Sequence, residues 1–169
     1  MSMIGNFLLV SDEDLDALIS APKKVHALLD QRVYDPEQPV DYVDVDKAWH
    51  ALHFMLTGTA WKGDAPLDFI AVGGVPIGDE DVGYGAARAL RSKELAVLQR
   101  ALEPITVDAL ITRYDGKAME DAEIYPGGWT KLDPRDPNEF GYFSGAYEEL
   151  RALVRKGAET SQGLLIWVS

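Results

Sequence analysis

The stretch DKAWHALHFMLTG, residues 46–58, predicts one helix that is apolar almost all the way round and ends at Gly58. It nevertheless contains an aspartate and two of the three histidines of the chain. At about 100° per residue, Asp46, His50 and His53 fall within roughly 60° of one another. Buried charged and imidazole groups cost free energy unless they are paired or used by a ligand. This face of the helix is therefore the first candidate for a functional site.

Three interpretations of this face are open. Two imidazoles and a carboxylate can hold a metal ion, although helical histidine pairs that bind zinc usually lie four residues apart, and here the spacing is three. Alternatively, Asp46 orients His50, which then acts as a general base. In the third interpretation, both rings belong to the core and bond to backbone or to a neighbouring strand. The chain is expected to fold without metal and to need no cofactor.

The composition argues against several classes of protein. With 16 basic and 28 acidic residues, the net charge is −12, which disfavours nucleic acid or an anionic membrane as partner because both require a positive surface. The absence of cysteine excludes disulfides, thiolate nucleophiles and cysteine-zinc sites. No apolar run approaches the ~20 residues that span a bilayer, and the N-terminus lacks the features of a signal peptide, so a cytoplasmic location is expected.

The pattern of apolar residues predicts a single domain over residues 1–169 of the α+β (mixed α/β) class. Strands are predicted at residues 4–10, 67–75 and 164–168, separated by several helices. The two terminal strands are expected to be neighbours in one small sheet, against which the helices pack.

Local signals predict where individual helices begin and end. Ser11 is expected to cap the first helix at its N-terminus. Thr57 is expected to bond back to a carbonyl of its own helix, and Gly58 to adopt the left-handed conformation that ends it. The longest helix is predicted at residues 140–156, with Gly157 as its C-terminal cap.

Two further segments combine aromatic residues with glycines. Tyr84 and Arg88 lie beside a glycine pair that matches no phosphate-binding motif, but the planar donor fork of Arg88 suits a carboxylate or phosphate. Tyr125 and Trp129 flank a Pro-Gly-Gly turn and either line a pocket or anchor the turn. Glycine allows close approach of backbone, so both segments are expected to converge on the two histidines, which need polar partners.

Four pieces of this sequence resemble the YfbM-like family, a bacterial family classed as a domain of unknown function. They are MIG at residues 3–5, the stretch 46–58, GYG at 83–85 followed by Arg88 and Leu90, and EIYPG at 123–127 followed by Trp129. Together they span nearly the whole chain, and the WHxxHFxLTG piece is quite specific. The resemblance implies a mixed α-and-β fold and a bacterial, cytosolic setting, and it supplies no activity.

These observations predict a non-catalytic module that binds a small polar molecule or another protein. The candidate surface comprises Asp46, Trp49, His50, His53, Tyr84, Arg88, Tyr125 and Trp129. One alternative is a small-substrate enzyme in which His50 is the base, Asp46 its orienting partner and Arg88 an anion clamp. A second alternative is an acidic, immunity-type inhibitor of a basic partner, which the net charge of −12 motivates.

Overall fold

A computed structural model describes residues 2–34 and 41–169 of the chain. Within them one sheet is formed by β1 (Gly5–Val10), β2 (Tyr42–Asp44), β3 (Val75–Asp81), β4 (Ala86–Leu90) and β5 (Gly163–Val168). The order across the sheet is β2-β1-β5-β4-β3, and each neighbouring pair is antiparallel. The two terminal strands are therefore neighbours, and the chain has the predicted α+β architecture.

The central strands β1 and β5 are buried on both faces, whereas the edge strands β2 and β3 are partly exposed. Successive side chains of a strand point to opposite faces. In β1, Phe7 and Leu9 belong to one hydrophobic cluster, whereas Leu8 and Val10 belong to another. The central strand β5 divides its side chains between the same two clusters. Strands that are covered on both sides need apolar residues at every position, which explains the unbroken apolar runs near the two ends of the sequence.

Helices cover the two faces of the sheet. One face carries α1 (Asp12–Ser20) and α2 (Lys24–Arg32). The other carries α3 (Trp49–Thr57), α4 (Ser92–Leu102), α5 (Val107–Ile111), α6 (Gly116–Asp121) and α7 (Pro137–Glu159), with short 3-10 turns at Asp46–Ala48 and Trp129–Lys131. The predicted cap of α1 is confirmed, since Ser11 Oγ accepts a hydrogen bond of 3.0 Å from the amide of Asp14.

The strand predicted at residues 67–75 is wrong. Residues 65–72 form consecutive turns, and the carbonyl of Asp68 accepts hydrogen bonds from the amides four and five residues further on. Phe69 and Ile70 are buried, as their apolar character suggests. A short apolar run indicates burial, but it does not by itself distinguish a strand from another buried conformation.

The predicted end of the longest helix is also wrong. Its cap is Thr160, and Gly157 lies inside the last turns of α7. A Cβ added at Gly157 would lie 2.4 Å from Leu95 Cδ2 and 2.6 Å from Leu9 Cδ2. Glycine is required there because α7 approaches α4 and the sheet closely, and not because the backbone turns left-handed.

Gly157→Ala is expected to lower the free energy of unfolding by about 1–3 kcal/mol, because two buried leucines must move to admit the new methyl group. Gly145→Ala is the matched control on the same helix, where an added Cβ meets no atom within 4 Å. The control should gain up to about 1 kcal/mol from helix propensity. Urea unfolding of both variants measures the difference, and equal midpoints would contradict the close approach.

Candidate functional site

The helix α3 ends as the sequence predicts. Gly58 has a φ of 74°, and its amide donates to the carbonyl of Phe54 at 2.6 Å. Thr57 Oγ1 donates to the carbonyl of His53 at 2.8 Å. The helix is buried from Trp49 to Leu56, so every polar group on it has to find a partner within the protein.

His50 finds its partners in backbone groups on two other segments. Its Nε2 lies 3.0 Å from the carbonyl of Ala60, and its Nδ1 accepts a hydrogen bond of 3.0 Å from the amide of Tyr125. A carbonyl only accepts, so the proton is on Nε2. The ring is 1% exposed, and burial lowers its pKa. His50 is therefore a neutral core residue with both nitrogens bonded, and Asp46 does not orient it.

His53 bonds in the same way one turn further along the helix. Its Nε2 donates to the carbonyl of Lys62 at 3.0 Å, while Nδ1 has no hydrogen-bond partner among the described residues. The ring is fully buried, and burial lowers its pKa to about 4. The hydrogen bond to the Lys62 carbonyl opposes this lowering of the pKa, while nearby His50 and Arg88 make smaller contributions to it. His53 is therefore neutral at pH 7.

Arg88 on β4 is committed to backbone carbonyls. Its Nη1 donates to Phe69 at 3.0 Å and to Gly73 at 2.5 Å, and its Nη2 donates to Ile70 at 2.6 Å. Burial lowers the pKa of the guanidinium to about 10, so it stays charged at neutral pH. These bonds satisfy carbonyls of the buried turn segment, and they leave no free donor fork for an anion clamp of the predicted kind.

Three of the four aromatic residues of the candidate surface anchor backbone segments. The Trp49 ring stacks on His50, with centroids 4.7 Å apart and planes 10° apart, and its Nε1 donates to the carbonyl of Met3 at 3.2 Å. The hydroxyl of Tyr125 accepts from the amide of Met3 at 3.3 Å. Trp129 is buried, and its Nε1 donates to the carbonyl of Ile124 at 2.6 Å.

Asp46 and Tyr84 take no part in the hydrogen bonds of the two histidines, Arg88 and the other three aromatic residues described above. Asp46 has a φ of 45°, and its amide donates to Asp44 Oδ1 at 2.6 Å. Burial raises the pKa of Tyr142 to about 12, and the hydrogen bond between its hydroxyl and the carboxylate of Asp46 is the second-largest cause of this shift. Tyr84 is 46% exposed. In the described part of the chain, neither buried histidine shares a hydrogen bond with residues 83–88. The predicted convergence is confirmed for the Tyr125 segment by its hydrogen bond to His50, and Arg88 of the Tyr84 segment lies near enough to His53 to lower its pKa.

Sequence reasoning missed Trp61. Its ring is 57% exposed, and its centroid lies 4.5 Å from that of His50 and 5.8 Å from that of Trp49. The residue follows the glycine that ends α3, in a segment whose carbonyls hold the two histidines. An isolated tryptophan three residues after a helix cap was the available signal.

Sequence reasoning also missed a cleft between the turn segment and α4, which we call the α4 cleft. It has a volume of about 450 Å³. Its lining consists of Ala65, Pro66, Asp68, Gly73, Gly74, Leu90, Lys93, Glu94, Val97 and Leu98. One wall is therefore the segment whose carbonyls Arg88 holds, and the other is the exposed side of α4, on which Val97 is 46% exposed.

Two kinds of feature are absent from residues 2–34 and 41–169. They contain no group of three or more histidine, aspartate or glutamate residues placed to hold a metal ion. They also include no helix that is long and apolar enough to cross a membrane.

Comparison with known proteins connects this geometry to a family. The family model described as "Domain of unknown function (DUF1877)" matches residues 1–167. The chain belongs to this family. It is 32% identical to Protein YfbM of Escherichia coli (strain K12) over 130 residues, which is 75% of each chain. It also matches the crystal structure of YfbM from Escherichia coli, described as a protein of unknown function, with a TM-score of 0.70 and 25% identity over 98% of this chain and 99% of that one.

These matches confirm the resemblance that the four sequence pieces indicated. Two of the pieces have a structural explanation within the family fold. The WHxxHFxLTG piece contains the buried histidines and the cap of α3, and the EIYPG piece contains the amide that bonds to His50. Both are parts of one buried network.

Trp49→Ala is expected to reduce the free energy of unfolding by about 3–5 kcal/mol, because the ring is 2% exposed and stacks on His50. Trp61→Ala is the control, since its indole is more than half exposed, and it should cost much less. Chemical denaturation followed by circular dichroism measures both. A Trp49→Ala protein as stable as the Trp61→Ala protein would contradict the core role.

Acid should destabilise the protein through its buried histidines. Between pH 6.5 and about 4, the unfolded chain takes up a proton on His53 that the folded chain does not. The resulting stability is fully present above pH 6.5, and about 3 kcal/mol is lost as the pH falls to 4. His50 contributes in the same direction, because burial also lowers its pKa.

His53→Gln should therefore flatten the dependence of unfolding free energy on pH between 4 and 6.5. His26→Gln, at an exposed histidine on α2, serves as control and should retain the slope of the original protein. Urea titrations at several pH values measure these slopes. A His53→Gln slope equal to that of the control would show that His53 is not buried as a neutral ring.

Proposed function

We propose that this protein is a non-catalytic binding module that takes a small molecule in the α4 cleft. The observation that carries the proposal is the cleft itself, about 450 Å³ of mostly apolar lining with a few polar side chains. Ligand sites are typically concave and mainly apolar, with a small number of polar groups that fix orientation. Val97, at 46% exposure, is an apolar side chain left at the surface beside this cleft.

The buried network supports this function by bracing one wall of the cleft. His50 and His53 hold the carbonyls of Ala60 and Lys62, directly before the turn segment. Arg88 holds three carbonyls within it. A wall fixed by charge-assisted and buried hydrogen bonds keeps its shape without ligand, which lowers the ordering cost of binding. In this proposal the histidines and Arg88 position the site and do not touch the ligand.

The enzyme alternative loses its support. A general base needs an available lone pair within reach of a substrate. Both ring nitrogens of His50 bond to backbone, and the ring is 1% exposed. Arg88 is likewise occupied. The arrangement of these side chains favours a structural role over proton transfer.

The inhibitor alternative stays a prediction. The acidic edge strand β3 ends at Asp81, whose carboxylate accepts hydrogen bonds from the amides of Gly83 and Gly85 at 2.8 and 3.0 Å. These bonds shape the turn into β4 and lower the pKa of Asp81. At least one of the acidic residues at this edge, Asp81, therefore has a local structural role that requires no basic partner.

Methyl NMR with the neutral probe 2-phenylethanol tests the proposal. Saturable shift changes are expected for the methyl groups of Val97, Leu90 and Leu98, and not for Leu165 on the opposite face of β5. Val97→Trp should fill the cleft and abolish these changes. Arg100→Trp, exposed one turn further along α4, is the control and should preserve them. Absence of saturable changes at the cleft would overturn the proposal.

A further inference from the structure

We propose that the α4 cleft selects small amines, with the ammonium group bound by the carboxylate of Asp68 and the apolar part of the ligand lying against Pro66, Val97 and Leu98. This inference rests on the proposed function and specifies the ligand class of the same site. It depends on where Asp68 lies, on what the protein provides for its carboxylate, and on the charges around the cleft.

The Asp68 carboxylate lies in the cleft wall without a committed partner. It is half-buried and close to the Gly73 backbone, since a Cβ added at Gly73 would lie 2.7 Å from Asp68 Oδ1. In the described part of the chain, no ion pair or side-chain hydrogen bond joins this carboxylate to another residue. The nearby guanidinium of Arg88 donates to backbone carbonyls instead.

The charge balance at Asp68 leaves room for a cation. Burial raises the pKa of this carboxyl, and the opposing influences of its own backbone amide and of Arg88 are smaller. The protein therefore removes more hydration from the carboxylate than it replaces. An ammonium ion provides the missing charge-assisted hydrogen bonds. The net charge of −12 adds a long-range attraction for cations.

The other two charged residues of the lining do not offer an equivalent site. Glu94 Oε2 accepts from the amide of Arg91 at 2.8 Å and belongs to the N-terminal capping of α4. Lys93 is exposed, and its long side chain can place its ammonium group in water. Asp68 is therefore the acceptor available to a ligand, while the remaining wall is apolar.

The test compares phenethylamine with 2-phenylethanol and phenylacetate, which present an ammonium, a hydroxyl and a carboxylate on the same aromatic body. Calorimetry or NMR titration at low salt and neutral pH gives the three dissociation constants. Phenethylamine should bind about tenfold or more tightly than 2-phenylethanol, because a hydrogen bond to an ionised group is roughly twice as strong as a neutral one and about 1.4 kcal/mol corresponds to tenfold in affinity. Phenylacetate should bind most weakly.

Asp68→Asn should abolish the preference, so that the ratio of the dissociation constants of 2-phenylethanol and phenethylamine falls from about tenfold or more to about one. Asp79→Asn, at an exposed carboxylate on β3 outside the cleft lining, removes the same charge and should keep the preference. Lys93→Gln should strengthen phenethylamine binding, because one nearby positive charge is lost. The comparison of the three probes on the original protein tests the inference even if a variant fails to fold.

The two proposals fail in different ways. If 2-phenylethanol and phenethylamine both leave the cleft methyl groups unchanged, the binding function of the cleft is wrong. If 2-phenylethanol binds at the cleft but phenethylamine shows no preference, or if Asp68→Asn retains the preference, the cleft binds ligands and the amine inference alone is overturned. An amine preference lost in both Asp68→Asn and Asp79→Asn would assign it to overall charge and would also overturn the inference.

Discussion

Hydrogen bonds from buried side chains to backbone carbonyls connect α3, the segment after it and β4. His50 and His53 donate to carbonyls at Ala60 and Lys62, and Arg88 donates to three carbonyls between residues 69 and 73. A segment with little regular secondary structure can be buried only if its carbonyls find donors. These three side chains bond to five carbonyls between residues 60 and 73, and they connect this part of the chain to α3 and β4.

The network stabilises the fold because its buried imidazole donors and carbonyl acceptors satisfy each other's hydrogen bonds. An imidazole on a helix buried all round would cost about 1–3 kcal/mol if left unpaired, and so would each buried carbonyl of an irregular segment. These bonds satisfy both nitrogens of His50 and Nε2 of His53, while Nδ1 of His53 has no partner among the described residues. Neutral histidine suits the task better than lysine, because burial lowers the histidine pKa and no charge remains to be solvated. Where a charge is kept, at Arg88, a planar fork shares it among several carbonyls.

In the proposed function, this network supports one wall of the ligand-binding cleft. The irregular segment forms one wall of the α4 cleft, and the regular helix α4 forms the other. None of the residues that the sequence singles out as chemically unusual lines the cleft, and Arg88 bonds to carbonyls of the segment that forms its wall. The side chains that line it are mostly ordinary apolar residues, which carry no distinctive pattern, and Asp68 is one of many acidic residues in an acidic chain.

The sequence by itself determined the features that depend on neighbours along the chain. The cap at Ser11, the end of α3 at Thr57 and Gly58 and the buried terminal strands all follow from residues within a turn or from an unbroken apolar run. Only the tertiary structure decided the partners of the polar residues. His50 bonds to the amide of Tyr125, 75 positions away, and the other partners of the two histidines and of Arg88 are carbonyls. Every residue has a carbonyl and nearly every residue has an amide. The identity of a backbone partner therefore cannot be predicted from residue types.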